Sequence, residues 1–207
     1  MGRATSVQPD GSMDVAPLRG QFMGNRGCLH DTQGVITRRF QSRRWITCTL
    51  REKPGRGKAV LDQPGRYTPM FFADEAVACA AGHRPCAECR RAVYREFSAA
   101  WGRTLGEVPK AVQIDAVLHA ARLAAHKAQR RFVAVADDLP DGVFVWWQDR
   151  PHLIRQAVAI PYDAAGYGAP VPRPICKVQV ITPAPLYAVM CAGWQHVMTA
   201  LLDRPNW

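Results

Sequence analysis

The sequence predicts an α+β fold of three parts: a module of short strands and helices, a helical middle, and a small β-rich C-terminal lobe. Short alternating segments separated by Pro-Gly pairs fill the chain up to residue 73. Helical periodicity dominates residues 74–131, and strand-like runs return after Pro140. Hydrophobic residues make up 48% of the 207 residues, so the chain can bury a core of ordinary size.

The N-terminal elements follow from local composition. Residues 1–20 mix Gly, Pro, Ser, Asp and Arg without periodicity, which predicts a flexible tail. Turn formers crowd residues 24–31, GNRGCLHD, and predict a loop. The run VITRRFQSRRWITCTL is rich in β-branched and aromatic residues and predicts one or two strands, and YTPMFF predicts another. Between them, residues 52–66 carry two Pro-Gly pairs and are expected to form a loop.

Three helices are predicted in the middle of the chain. Asp74 can cap a helix over EAVACAA, and Gly82 is placed to end it. A second helix over RRAVYREFSAAWG puts Val93, Phe97 and Trp101 on one face. The third is predicted over residues 111–131 and ends in a basic cluster.

The C-terminal lobe has a different character. GVFVWWQ, HLIRQAVAIP and CKVQVITP predict three short strands, and PLYAVMCAGW predicts a short helix. The charge changes at the same place: residues 1–136 hold 22 Lys and Arg against 11 Asp and Glu, whereas residues 137–207 hold 5 against 6. We therefore predict a tail over 1–20, a basic module with its following helices over 21–136, and a β-rich lobe over 137–207.

The formal net charge of +10 favours polyanionic partners, and the asymmetry assigns any such site to the first part. The alternative is a protein that is basic for no specific reason. No run of 18 apolar residues exists, so no membrane-spanning helix is expected. The start of the chain lacks the apolar segment of a secretory signal, which favours a reducing cytoplasm. There, closely spaced cysteines more often bind metal than form disulfides.

The sharpest local motif is Cys86-Ala-Glu-Cys89. Two intervening residues let both sulfurs reach one tetrahedral ion, which predicts half of a structural Zn²⁺ site. A redox dithiol and two unliganded core cysteines are the alternatives. Two more ligands are needed, and Cys28 with Cys48 would complete a four-thiolate site, although His30 could replace either. The first part of the fold is therefore predicted to be a small zinc-binding module.

The run MFFADEAVACAAGHRPCAECRR resembles the second half of the metal-binding domain of the Ada family of DNA-repair proteins. In that domain a strand and an Ala-rich helix precede Gly-aromatic-Arg-Pro-Cys-x-x-Cys and basic residues. The resemblance is specific over about fifteen residues and extends loosely over residues 24–95. It implies one zinc ion with four ligands and contact with DNA through a basic face.

The resemblance also implies a reaction, because in the Ada family one zinc-bound thiolate accepts a methyl group from a DNA phosphotriester. The family's two upstream cysteines form a C-x-x-x-C pair, and this chain has no such pair. Cys28 and Cys48 are instead separated by a long insertion. Cys48 is the candidate acceptor if alkyl transfer occurs, and whether the protein is an enzyme stays open.

Two clusters of basic residues are candidates for binding nucleic acid, with DNA as the expected form. One surrounds Phe40 and the other surrounds the C-x-x-C motif, where arginines can contact phosphates and an aromatic ring can stack on a base. A solvated basic surface is the alternative. The candidate residues are Arg38, Arg39, Arg43, Arg44, Trp45, Arg84, Arg90 and Arg91.

Two weaker candidates lie outside these clusters. Asp115 and His119 are four residues apart on the third helix, where they could act as a general acid–base pair for hydrolysis or, with His126, as a second metal site. A surface hydrogen bond is the simpler interpretation. Aromatic residues of the last lobe could line a ligand pocket, but aromatic side chains are more often packed in a core; they are Trp146, Trp147, Tyr162 and Tyr167.

Overall fold

Two β-sheets and four α-helices make up the part of the chain that the computed structural model describes, residues 5–15, 17–50, 65–124 and 128–194. The predicted α+β class is confirmed. None of the helices in these ranges has the length and apolar character needed to cross a membrane. The loop predicted over residues 52–66 lies mostly outside the described residues.

The first sheet has six strands in the order β2-β1-β5-β3-β4-β6. The central strand β3 pairs antiparallel with β4 on one side and β5 on the other, and β4 pairs parallel with β6. The strands are β1 (Ser6–Val7), β2 (Met13–Asp14), β3 (Phe22–Asn25), β4 (Ile46–Thr49), β5 (Met70–Phe72) and β6 (Arg84–Pro85).

The described part of residues 1–20 is not a flexible tail, contrary to the prediction. Strands β1 and β2 form a hairpin, and Phe71 N–H donates to the Thr5 carbonyl at 2.8 Å. Val7 is completely buried in the core. Two-residue strands are too short to produce an alternating pattern, which is why the sequence did not reveal them.

Three helices follow the first sheet: α1 (Glu75–Ala80), α2 (Arg91–Leu105) and α3 (Ala111–Arg122). Asp74 caps α1 as predicted, because its carboxylate accepts from Val77 N–H at 2.9 Å. Helix α3 is shorter than predicted. The chain turns back after Arg122, whose carbonyl accepts from Arg130 N–H at 2.7 Å.

The second sheet has seven strands in the order β11-β10-β9-β8-β13-β7, with β12 paired to β10. The predicted strand over 152–161 is instead the hairpin β9–β10, which turns where Gln156 adopts a φ of 48°. Each arm contributes a short apolar stretch, LI in β9 and VAIP in β10, so the two read as one run. The strands of this sheet are β7 (Phe132–Val135), β8 (Phe144–Trp147), β9 (Arg150–Arg155), β10 (Val158–Asp163), β11 (Gly166–Tyr167), β12 (Val171–Pro172) and β13 (Lys177–Val180). The helix α4 (Ala184–Cys191) follows β13.

One hydrophobic core connects the two sheets, with buried side chains from Val7 to Trp194. The ring of Phe97 on α2 meets that of Trp194 edge to face at 5.0 Å. The Tyr167 hydroxyl, on β11, donates to the Asp74 carboxylate at 2.8 Å. The first sheet and its helices are therefore held against the second sheet by both apolar and polar contacts.

Candidate metal centre

Three cysteines from separate elements meet at the edge of the first sheet. In the parallel pairing of β4 with β6, Thr47 lies opposite Pro85, and Cys86 N–H donates to the Thr47 carbonyl at 3.0 Å. This register places Cys48 beside Cys86. The chain then turns through Cys89 into α2, and Arg90 N–H donates to the Cys86 carbonyl at 3.1 Å.

The sulfur atoms of Cys48, Cys86 and Cys89 all lie within 4.8 Å of one another. Zn–S bonds of about 2.3 Å in a tetrahedron separate ligand sulfurs by roughly 3.8 Å. The triad is therefore close enough to bind one metal ion. Across the described ranges, no fourth Cys, His, Asp or Glu joins this group.

Hydrogen bonds among the three thiols shift their pKa values in different directions. Hydrogen bonds from the Cys48 and Cys89 thiols, followed by backbone N–H groups of Cys89 and Glu88, hold the pKa of Cys86 far below its ordinary value. The hydrogen bond that Cys48 donates to Cys86, together with burial, raises the pKa of Cys48. The Cys48 thiol donates a hydrogen bond that lowers the pKa of Cys89. The hydrogen bond that Cys89 donates to Cys86, together with burial, has the larger effect, so the pKa of Cys89 is raised overall. Cys86 is therefore the most acidic of the three thiols.

One side of the triad is open. Cys86 is 7% exposed, whereas Cys48 and Cys89 are half-buried. Cys89 lines a surface groove of about 620 Å³. The other residues lining this groove are Gln21, Phe22, Thr49, Leu50, Arg90 and Val93. A fourth ligand could therefore approach the triad from the groove.

The structure brings together three of the four predicted ligands but does not bring Cys28 or His30 to them. Cys28 Sγ faces the His30 carbonyl at 3.5 Å, and His30 Nδ1 lies 2.6 Å from Thr68 Oγ1. The backbone N–H of Cys28 donates to Gln41 Oε1 at 2.7 Å. The loop after β3 folds on itself, which keeps the predicted four-thiolate set from assembling.

Two of the predicted nucleic-acid-binding arginines are buried in ion pairs, which corrects the prediction that they face a polyanion. Arg84 is 2% exposed and donates from Nε and Nη2 to both oxygens of Asp115, each at 2.8 Å. Arg90 is 8% exposed and donates to Glu75 at 2.7 Å. Their charges are neutralised inside the protein, so they brace the helices against the Cys-x-x-Cys turn.

Trp45 is also buried, contrary to its predicted role as an exposed stacking platform. Only 2% of it is accessible. The guanidinium carbons of Arg26 and Arg122 lie 4.0 and 4.6 Å from its ring centroid. Its indole is thus occupied by cation–π contacts and cannot stack on a base.

The other five predicted arginines reach the surface. Arg39 is half-buried, and the remaining four are exposed: Arg38, Arg43, Arg44 and Arg91. Four of these five lie on the chain between β3 and β4, the strand that carries Cys48. A basic surface therefore exists near the first sheet.

The Asp115–His119 hypothesis is not supported by the packing. Both Asp115 oxygens serve Arg84, and the His119 ring packs edge to face on Phe40 at 4.8 Å. Burial, followed by Arg122 and Arg43, lowers the pKa of His119. His126 lies outside the described residues.

The C-terminal aromatics pack against neighbours in the protein rather than lining a ligand site. Tyr162 and Tyr167 meet edge to face at 4.9 Å. The guanidinium of Arg131 covers Trp146 at 4.2 Å, and Trp147 lies 5.1 Å from His152.

Three buried polar residues were missed by sequence reasoning: Arg26, His83 and Arg122. Arg26 Nε donates to His83 Nε2 at 3.1 Å, and Arg122 Nε bonds the Gly82 carbonyl. His83 stands where the Ada-type motif has an aromatic residue, and its ring packs on Phe72 at 4.6 Å. The histidine at this aromatic position was the one sequence feature that could have indicated a buried polar residue here.

Comparison with protein families, with curated proteins and with solved structures found no match to this chain.

Proposed function

We propose that the protein binds one zinc ion through Cys48, Cys86 and Cys89 and uses an adjoining basic surface to bind nucleic acid, with DNA as the preferred form. The observation that carries the proposal is the thiol triad formed by Cys48 of β4 with Cys86 and Cys89 of the turn that links β6 to α2. The chain's resemblance to the Ada-type metal-binding domain supports DNA as the partner.

The donor set supports zinc. Three soft thiolates within one small volume suit Zn²⁺, and the Cys-x-x-Cys turn is common in its structural sites. A bound ion would link β4 to the turn that connects β6 and α2. The cysteines of the described chain are all free, so no disulfide makes this link. Binding energy of this kind stabilises the fold, because the unfolded chain lacks a preformed site. The fourth ligand would come from the groove side.

The DNA proposal rests on the surface arginines. Arg38, Arg43 and Arg44 are exposed along one segment, in the part of the chain that holds the excess positive charge. Each guanidinium that neutralises a phosphate releases condensed counterions, which makes affinity strongly dependent on salt.

Metal content tests the zinc site. We expect one zinc per chain in protein purified with reduced thiols, and loss of zinc from Cys86→Ser. Cys176→Ser is the matched control, because Cys176 is an exposed cysteine of the second sheet region and should leave zinc unchanged. Folded wild-type protein without metal, under conditions that supply zinc, would contradict the proposal.

Salt-dependent binding tests the DNA surface. Fluorescence anisotropy with a short duplex should give a linear fall of log K with log salt. The double variant Arg43→Gln/Arg44→Gln should make this slope shallower by about 0.9 for each phosphate that the variant no longer neutralises. Arg150→Gln removes an exposed charge of the second sheet region and should leave the slope unchanged. A salt-independent affinity would exclude phosphate contacts as its source.

A second candidate function is alkyl transfer to a sulfur of the triad, favoured by the open side of the site. An S–C bond would form as the methyl C–O bond of a phosphotriester breaks, leaving a phosphodiester as the leaving group. Cys48 is the predicted acceptor, but Cys89 lines the groove. Peptide mass spectrometry after exposure to methylated DNA would distinguish them, and an unmodified triad would leave only the binding function.

A further inference from the structure

Strand β7 is an open edge of the second sheet. Its one partner strand in the described chain is β13, which pairs antiparallel with it from Phe132 to Val135. Ala136 N–H donates to the Cys176 carbonyl at 3.0 Å, and this hydrogen bond fixes the alternation of the ladder. The even-numbered residues of β7 bond to β13, so the N–H and C=O groups of Val133 and Val135 point to the free edge.

The side chains at this edge are apolar and accessible. Val133 is 63% exposed and Val135 is 37% exposed. The run Phe-Val-Ala-Val contains neither a charged residue nor a proline, two of the features by which edge strands avoid pairing with other chains. The other edge strands of the described sheets, β2, β6, β11 and β12, have two residues each. Strand β7 is therefore the edge best suited to accept another strand.

The charges around β7 change sign from one end of the strand to the other. Arg130 and Arg131 precede the strand and Asp137 and Asp138 follow it, in the run RRFVAVADD. Opposite charges thus lie at equal distances from the central residue, Ala134. A second copy that pairs antiparallel with β7 would bring its aspartates to the arginines of the first copy, whereas a parallel copy would bring like charges together.

These charges lack ionic partners within the described residues. Asp137, Asp138 and Arg130 are exposed, and none of them is in an ion pair there. Arg130 Nη2 donates to a backbone carbonyl at 3.1 Å. The guanidinium of Arg131 lies over Trp146 at 4.2 Å, which leaves Arg130 as the arginine that can reach across the edge.

The backbone supports the same register as the charges. With Ala134 on a twofold axis, Val133 of one copy lies opposite Val135 of the other, and both residues direct their N–H and C=O groups to the edge. Each such pair exchanges two hydrogen bonds in an antiparallel ladder. In this register Arg130 lies opposite Asp138 of the other copy. A shift by one residue would instead place outward-pointing groups opposite inward-pointing ones.

We propose that two copies of the chain form a dimer by antiparallel pairing of their β7 strands about a twofold axis at Ala134. The pairing joins the two second sheets into one continuous sheet, and such isologous contacts are the commonest in soluble homo-oligomers. One strand pair is a small interface, so the dimer is weak, with a Kd in roughly the micromolar range. The interface contains none of the thiol triad and does not rest on the proposed function.

Sedimentation velocity of the full chain with reduced thiols, over about 1–300 µM, measures the dimer. Val133→Lys is the disrupting variant, because the side chain is exposed in the monomer and a lysine at a sheet edge opposes strand pairing. Val112→Lys is the matched control, since Val112 is 78% exposed on α3. We expect Val133→Lys to raise the Kd by roughly tenfold or more and Val112→Lys to change it by less than about twofold.

Charge reversal tests the register. Arg130→Glu and Asp138→Arg each place like charges opposite one another, and twofold symmetry repeats the change, so each single variant should raise the Kd by roughly fivefold or more. The double variant Arg130→Glu/Asp138→Arg restores opposite charges at the same positions. Its Kd should return to within about threefold of the wild-type value.

The outcomes separate the dimer from the proposed function. A wild type that stays monomeric at about 300 µM would overturn the inference whatever its zinc content or DNA affinity, and is the result expected if the edge serves a strand of another protein. A dimer that persists in Val133→Lys would show that the interface lies elsewhere. Loss of the dimer in both single charge variants without recovery in the double variant would overturn the twofold register at Ala134.

Discussion

The two sheet regions bury different kinds of side chain. In residues 5–124, the first region, the interior includes many polar or charged groups, whereas in residues 128–194, the second region, it includes only His152 and Thr182 among the described residues. The buried polar residues of the first region are Arg26, His30, Thr47, Thr68, Asp74, Glu75, His83, Arg84, Arg90, Ser98, Asp115 and Arg122.

This difference indicates where the function lies. Burying charge is costly in free energy, and the second region packs its interior with almost no charged side chains. The first region instead uses two buried ion pairs to support the turn that carries Cys86 and Cys89. It also holds the thiol triad and the unpaired guanidinium of Arg26. The second region acts as the apolar scaffold against which that chemistry is built.

Metal removal should produce the largest effect and separate the regions. A zinc-specific chelator should accelerate amide exchange in β4, β6 and the turn to Arg90, because the proposed zinc ion would tie these segments together and structural zinc contributes ~10–16 kcal/mol in small zinc modules. Exchange in β9 and β10 should change little. Hydrogen-exchange mass spectrometry measures both. Equal acceleration everywhere would show that the regions unfold as one unit.

Asp115→Asn should be the most damaging single substitution away from the thiol triad. It leaves Arg84 buried with only the neutral amide oxygen and the Pro85 carbonyl as acceptors, and breaking such a pair costs ~3–5 kcal/mol of unfolding free energy. Glu107→Gln, at an exposed carboxylate with no ion pair to the described residues, should cost less than about 0.5 kcal/mol. Urea denaturation compares the two. Similar costs for both variants would show that the Arg84–Asp115 pair adds no more than a surface charge.

Acidification should weaken the first region through His83. Burial, followed by the charges of Arg26 and Arg122, holds the pKa of His83 well below 6.5. The unfolded chain binds the proton more readily, so the stability contributed by neutral His83 is complete above pH 6.5 and falls as pH drops below it, by about 1.4 kcal/mol per pH unit until the lowered folded pKa is reached.

His83→Phe, which keeps an aromatic ring between Trp45 and Phe72, should flatten the stability profile between about pH 6.5 and 5. His152→Phe is the comparison in the second region. Burial also lowers the pKa of His152, but the arginine whose charge acts on it, Arg150, is exposed, and we expect a smaller change of slope. Equal slopes in wild type and His83→Phe would show that His83 is protonated without cost.

Local features of the site could be predicted from the sequence, and non-local ones could not. The Cys-x-x-Cys turn and the Asp74 cap depend on residues within a few positions of each other, and both form. Which of the predicted upstream ligands, Cys28, Cys48 or His30, meets this turn depends on which strand pairs with β6, a contact between segments far apart in the chain. The burial of the arginines could not be predicted for the same reason. Arg84 reads as a surface charge until Asp115, 31 residues away, is brought against it.

Removing a single hydroxyl between the two regions should give the smallest effect. Tyr167→Phe loses the hydrogen bond to Asp74 Oδ2, while the carboxylate still caps α1 through Val77 N–H. We expect a loss of about 1–2 kcal/mol of unfolding free energy, because the acceptor is charged but the tyrosine is only partly buried. Tyr94→Phe is the control, since the structure shows no hydrogen bond from the Tyr94 hydroxyl within the described chain. If Tyr167→Phe leaves stability and zinc content unchanged, the Tyr167–Asp74 hydrogen bond adds nothing to the contact between the regions. If it lowers stability and also speeds exchange in α1, the hydroxyl stabilises the helix that leads into the turn with Cys86 and Cys89.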